Sequence, residues 1–224
     1  MLPLTRKIYE RLTPEGYSFD CIFDVGANIG QTFKRARAEF PDATIYSFEP
    51  IPDTYQILKA AIASVDQSSK AKAYCLACGD KNGTENVYLK QLHSQNSLTP
   101  LVNRPLKPDA VPIEVMVVRL ADFAEREGIG HIDILKLDVE GFELSALRGA
   151  SALLQDRVSF LVAEVNFSTT DLRQSYFVDV EQFLRPFGFT PVGIYDVHYR
   201  DRDGRLDYCD AVFSNSYAIR RKKL

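Results

Sequence analysis

With 224 residues, 46% hydrophobic and 25% charged, the chain can bury one sizeable core, so a single domain over residues 1–224 is expected. A net charge of −3 and a pI near 5.7 lack the basic excess that a polyanion would draw, which sets nucleic acid aside as the main partner. No apolar run is long enough to span a bilayer and Met1–Lys7 has no signal-peptide apolar region, so a cytoplasmic protein with no membrane partner is expected.

In chain order, Thr5–Leu12 reads as a short amphipathic helix within an N-terminal helical segment, residues 1–19. A strand opens at Cys21 and ends at Asp24, a loop of small residues follows, and a helix begins at Gln31 with Phe33, Ala36, Ala38 and Phe40. A second strand ends at Glu49, and the next helix carries Tyr55, Leu58 and Ile62 on one face. A third strand covers Lys72–Leu76. Then come a short strand at Asn86–Leu89, a polar loop at 91–112 long enough to act as a lid, and a strand at Ile113–Val118. A fourth strand, Ile132–Leu137, ends at Asp138 and leads into a helix from near Phe142 to Leu154. A fifth, Phe160–Val165, carries Glu164 at its end; a helix over Asp179–Phe187 stops at Gly188. Strands at Thr190–Tyr195 and Asp210–Ser214 flank the polar turn 200–205 as a hairpin, and the basic stretch Arg220–Lys223 reads as a solvated, partly frayed end. Apolar strands alternating with helical patterns predict an α/β sheet, mostly parallel, with an antiparallel edge pair and helices on both faces.

The first loop carries the chemistry. Gly26-x-Asn28-x-Gly30 does not fit the dinucleotide spacing G-x-G-x-x-G. A pyrophosphate loop wants bare backbone N–H groups, and the carboxylate of Asp24 is unwelcome there. An ammonium would welcome it, which points to S-adenosylmethionine, a cofactor with an ammonium, a sulfonium and no phosphate. A plain strand-to-helix turn is the bland alternative. Glu49 lies about 20 residues beyond the loop, where a ribose-binding acid sits in such folds; it could equally cap the helix that Pro52 starts. Asp24, Glu49, Asp138 and Glu164 all stand at or near strand ends, a crowding that calls for a cationic ligand or for protonation. In Asp138-Val139-Glu140-Gly141, Asp138 is the first candidate for base or acceptor anchor, Glu140 the second and Glu164 the third; Glu140 and Glu143 could instead only cap a helix. His198 is a weaker base candidate on the acceptor side. Cys75 and Cys78 form a C-x-x-C in a strand-like run, and the three histidines are scattered, so reduced thiols and no metal site are expected. Asp138, Glu164 and Asn166 offer oxygen ligands suited to Mg²⁺, but their spacing does not establish a site.

Three stretches, Asp24-Val25-Gly26-Ala27-Asn28-Ile29-Gly30, Phe48-Glu49-Pro50 and Lys136-Leu137-Asp138-Val139-Glu140-Gly141-Phe142-Glu143, together closely resemble the FkbM family of S-adenosylmethionine-dependent methyltransferases. The Cys78-Gly79-Asp80 turn and Asn96-Ser97-Leu98 also look familial, and the resemblance is strong from Cys21 to Asn166 and looser beyond. It implies a Rossmann-like sheet of seven strands and methyl transfer to a hydroxyl on a sugar, polyketide or other small metabolite. Asp24, Gly26, Ala27, Asn28, Gly30, Glu49, Asp80 and Asp138 are then the expected cofactor contacts, with Asn96, Ser97 and His198 near the acceptor. The rival readings are an NAD(P)-dependent oxidoreductase, which shares half the fold and the ribose acid, and a cofactor-binding module without turnover.

Overall fold

The computed structural model describes residues 3–66, 68–88, 112–167 and 175–222. Its first half alternates helix and strand: α1 (Arg6–Glu10), β1 (Cys21–Val25), α2 (Gln31–Glu39), β2 (Thr44–Phe48), α3 (Pro52–Val65) and β3 (Ala71–Tyr74). The chain then leaves the main sheet at Cys75. β4 (Ala77–Cys78), β5 (Gly83–Tyr88) and β6 (Pro112–Val118) form a separate three-stranded sheet in the order β4-β6-β5. The main layer resumes with α4 (Leu120–Arg126), β7 (Ile132–Leu137), α5 (Glu143–Leu154), β8 (Val158–Asn166), β9 (Ser175–Tyr176), α6 (Phe177–Leu184), β10 (Phe189–Tyr199), β11 (Leu206–Asn215) and α7 (Ser216–Lys222).

The main sheet runs β10-β11-β8-β7-β1-β2-β3. From β8 to β3 all pairs are parallel; β11 is antiparallel to β8, and β10 to β11. This is the expected sheet with its antiparallel edge hairpin, and the two-residue β9 beside β8 makes an eighth strand. Period-two alternation decides what each face buries. Phe23, Phe48, Leu135 and Leu137 pack with Phe123 of α4, Leu147 of α5 and Leu184 of α6. Ile22, Ile45 and Ile134 pack with Tyr9 of α1, Phe33 of α2, Leu58 of α3 and Ile219 of α7.

Several boundaries differ from the sequence reading. α5 starts at Glu143 because Gly141 turns with φ 96°. α6 starts at Phe177 and passes into a 3-10 turn, Arg185–Phe187, that Gly188 ends with φ 83°. β10 and β11 extend beyond the expected segments, since polar residues such as Asp196 and His198 hide the outer halves of the strands. α4, α7 and the two-residue β4 are additions, while β5 and β6 are the expected strands at Asn86–Leu89 and Ile113–Val118; α4 is too short for a periodic signal to stand out.

Within the basic C-terminal stretch Lys222 is docked, a correction at that residue to the expected solvated or partly frayed end, while Arg220 and Arg221 are exposed. Lys222 Nζ lies 2.5 Å from Oδ1 of the fully buried Asp133 and 3.0 Å from Asp20 Oδ2, and donates to Ser18 O at 2.8 Å. Asp133 also accepts from Tyr17 Oη at 2.7 Å and from the backbone N–H of Asp20 and Cys21. Arg221 pairs with Asp156. Lys222→Ala leaves a buried carboxylate with its charge partner removed and its N–H bonds intact. A loss of about 2 kcal/mol is expected, and roughly 4–8 °C in Tm. An unchanged melting curve would show that α7 docks through its apolar face alone.

Candidate active site

The loop after β1 is held tightly to its neighbours. Gly26 and Ala27 N–H both donate to Phe48 O, at 3.0 and 2.9 Å, and Asp138 N–H donates to Val25 O at 3.0 Å. Gly26 has φ 81°, and a Cβ there would stand 1.8 Å from the Asp138 carbonyl oxygen. Only glycine lets the strand ends of β1 and β7 approach this closely. Asn28 takes a left-handed turn with φ 48° and donates its N–H to Glu49 Oε2 at 3.0 Å. Gly30 N–H donates to Ala27 O. The N–H groups of Gly26, Ala27, Asn28 and Gly30 are thus all taken up inside the protein, which leaves a poor cradle for phosphate.

The acids fare differently. Asp24 is fully buried, and neither of its oxygens has a hydrogen-bond partner among the described residues. Burial pushes its pKa up to about 6, opposed by the Lys136 ammonium and aided by Asp138. Glu49 bridges two loops: Oε1 accepts from Ile51 N–H at 2.9 Å while Oε2 holds Asn28. Ile51 is the N-cap of α3, so Glu49 is tied to the start of that helix through one N–H. Burial raises Glu49 to about 7, with these two N–H bonds pulling the other way and Asp24 adding to the rise.

Sheet register assembles the rest. Asp24 on β1 pairs with Lys136 on β7, and Glu164 on β8 with Asp210 on β11. By alternation these four side chains share the face of Ile22, Ile134, Val162 and Val212. Lys136 is 5% exposed and donates from Nζ to Asp138 Oδ2 at 2.9 Å; the Asp138 side chain is 39% exposed. Burial works to lower the Lys136 pKa, but Asp138, Asp24 and Asp210 more than offset it. Burial also pushes Asp210 up to about 6. Lys136 and Asp210 were not among the expected site residues. The available signal was a lysine inside an otherwise apolar central strand, a place where a charge needs partners.

The remaining candidates occupy the rim. Glu140 sits in the β7–α5 turn with φ 52°. Its neighbour Glu143 is buried and structural: Oε1 accepts from Val139 and Gly141 N–H, and Oε2 from Ser175 N–H and Oγ, tying the turn to β9. Asp80 is exposed on the loop after β4, its N–H bonded to Ser145 Oγ at 3.2 Å. Gly79 beside it would meet Phe142 with any Cβ, so this loop borders the β7–α5 turn. His198 stacks on Tyr208, ring centroids 4.2 Å apart, and its side chain is 45% exposed on the hairpin. Tyr208 pairs in register with Asn166, which places His198 at the carboxyl end of the sheet, two strands from β8. Asn96, Ser97 and the 91–112 loop short of Pro112 lie outside the described residues. Among the described residues all four cysteines are free thiols and no three His, Cys, Asp or Glu side chains cluster for a metal.

The profile of the Methyltransferase FkbM domain matches residues 24–191. Methyltransferase sdnD of Sordaria araneosa is 30% identical over 168 residues, which are 64% of this chain and 65% of that relative. The 31-O-demethyl-FK506 methyltransferase FkbM of Streptomyces tacrolimicus is 29% identical over 217 residues, 86% of this chain and 81% of the relative. Among solved structures, the N-terminal domain of human METTL16 in complex with SAH is similar in fold, with TM-score 0.51 and 11% identity over 94% of this chain and 66% of that one. The matched residues include the β1 loop, Glu49 and the Lys136–Glu143 turn whose geometry is given above, and the chain belongs to the FkbM family of S-adenosylmethionine-dependent methyltransferases.

Proposed function

We propose that this chain methylates a hydroxyl oxygen on a small metabolite, such as a sugar or polyketide. The observation that carries the reading is Asp24: a fully buried carboxylate with no hydrogen-bond partner among the described residues, beside a loop whose N–H groups are already taken up. That donor set fits the ammonium end of S-adenosylmethionine and does not fit a pyrophosphate. Gly26, Ala27, Asn28 and Gly30 would line the cofactor, Glu49 would accept from its ribose hydroxyls, and Asp80 would border it. When bound, the cofactor supplies a methyl on a sulfonium, already a good leaving group. The residues then have to align an acceptor oxygen, worth about 7–11 kcal/mol in favourable cases, and take its proton. In this reading Asp138 would take that proton, with Glu140 and Glu164 as alternates, and His198, Asn96 and Ser97 would serve the acceptor. The Streptomyces relative is named a 31-O-demethyl-FK506 methyltransferase, which supports the acceptor class.

Glu49→Ala is expected to weaken S-adenosylhomocysteine binding by about 1–3 kcal/mol, since it removes hydrogen bonds to a charged group. Calorimetry on the folded variant measures this, and a lower Tm with unchanged affinity would leave Glu49 as a loop clamp only. The overall reading is tested by titrating the wild type with S-adenosylhomocysteine and NADH, then following labelled methyl transfer to a panel of hydroxyl acceptors. NADH binding alone would overturn the reading. Tight S-adenosylhomocysteine binding with no product across the panel would favour a binding module.

A further inference from the structure

We infer that Lys136 is a positioning residue for the cofactor: it is the counter-charge, shared with Asp138 and Asp210, that keeps Asp24 ionised against the cofactor's ammonium. The inference rests on the methyltransferase reading above. Lys136 is the buried cation of this group of charges. It is register-paired with Asp24 of β1, bonded to Asp138 just beyond its own strand, and acts electrostatically on Asp210 of β11. Other groups face this cluster from every side. Glu164 of β8 is paired with Asp210; Arg35 of α2 and Asp196 of β10 act on it; Tyr9 of α1 and Tyr195 of β10 stand near it.

Asp24 is fully buried and Asp210 partly so, and two such carboxylates cannot both stay charged without the ammonium of Lys136 near them. A protonated Asp24 offers an ammonium nothing, so the cation that pairs with Asp138 also decides whether the first loop can hold its ligand. A merely structural lysine would behave differently. Replacing it with methionine of similar length would change stability and leave the pH dependence of binding alone.

The test is calorimetry with S-adenosylhomocysteine from pH 5 to pH 8.5. In wild type, affinity should rise with pH and level off near neutrality. In Lys136→Met the midpoint should move up by at least one pH unit, with affinity at pH 7 at least tenfold weaker and the gap closing towards pH 8.5. Lys136→Arg should restore the wild-type midpoint. Asp138→Asn should move the midpoint down, because Lys136 then serves only Asp24 and Asp210. If Lys136→Met does not fold, Lys136→Met/Asp210→Asn removes one charge of each sign and should show the same upward shift. A folded methionine variant with the wild-type midpoint overturns the inference. A wild type that binds no S-adenosylhomocysteine at any pH overturns the methyltransferase reading instead.

Discussion

Asp138→Asn is expected to slow methyl transfer by about 10²–10⁴ with the fold intact and, above pH 7, with S-adenosylhomocysteine affinity near that of wild type. The substitution keeps the shape and leaves an amide oxygen for the bond from Lys136 Nζ, now 2.9 Å from Oδ2. It removes the negative charge and most of the basicity. Asp138 follows β7, and its side chain is 39% exposed. If the residue only anchors the acceptor, KM should rise while kcat changes less. If it only shapes the turn into α5, stability should fall by about 1 kcal/mol and both constants should hold. Steady-state kinetics and a melting curve on this one variant separate the three outcomes, and the last would remove Asp138 from catalysis.

Gly26→Ala is the second large effect. A methyl group there would meet the Asp138 carbonyl at 1.8 Å, and φ 81° is a conformation alanine rarely adopts. The obstacle is backbone, so no side-chain rotation relieves it. A loss of about 3 kcal/mol or more is expected, roughly 6–12 °C in Tm, together with cofactor binding too weak to measure by calorimetry. Wild-type Tm and affinity would show that the β1 and β7 ends can separate at little cost, and that the close approach is incidental.

The buried acids also set a pH dependence. Asp24 and Asp210 near 6 and Glu49 near 7 lie above their ordinary range, so the folded, cofactor-free protein binds protons that the unfolded chain releases. That contribution to stability is complete below about pH 4 and is lost as the pH rises through 6 to 7. Binding a cation at Asp24 favours the ionised form, so cofactor uptake near pH 6 should release a proton. Calorimetry in two buffers of different ionisation enthalpy reads this directly.

The ends of β1, β2, β7 and β8 were legible because each is a short apolar run with an acid at or near its end: Asp24, Glu49, Asp138 and Glu164. Alternation then puts alternate residues on one face, which is why Asp24, Lys136 and Glu164 converge. What stayed hidden depends on pairing between distant strands. Asp210 belongs to the site only because β11 inserts between β8 and β10 and sets it opposite Glu164. Lys136 looked like one polar residue in a core strand until its three carboxylates were gathered around it. Glu143 had the spacing of a first-turn helix acid, and only the arrival of Ser175 from β9 shows that it binds two segments together. The docking of Lys222 needed Asp133, 89 residues earlier, to be buried at the opposite end of the sheet.

The outer strand of the hairpin has a consequence for self-association. β10 is one of the two edges of the main sheet, eleven residues long and unpaired on its outer side among the described residues, with Ile194, Val197 and Tyr199 exposed. A flat edge of that length would be a template for polymerising with other copies. This one is interrupted. Pro191 has no N–H to offer, the register shifts between Pro191 and Gly193 and again between Tyr195 and His198, and Asp196 turns left-handed with φ 47°. With a third shift between His198 and Tyr199, an incoming strand would find its hydrogen-bonding row broken three times, so the same irregularities that bend the hairpin protect the protein from aggregation through its edge.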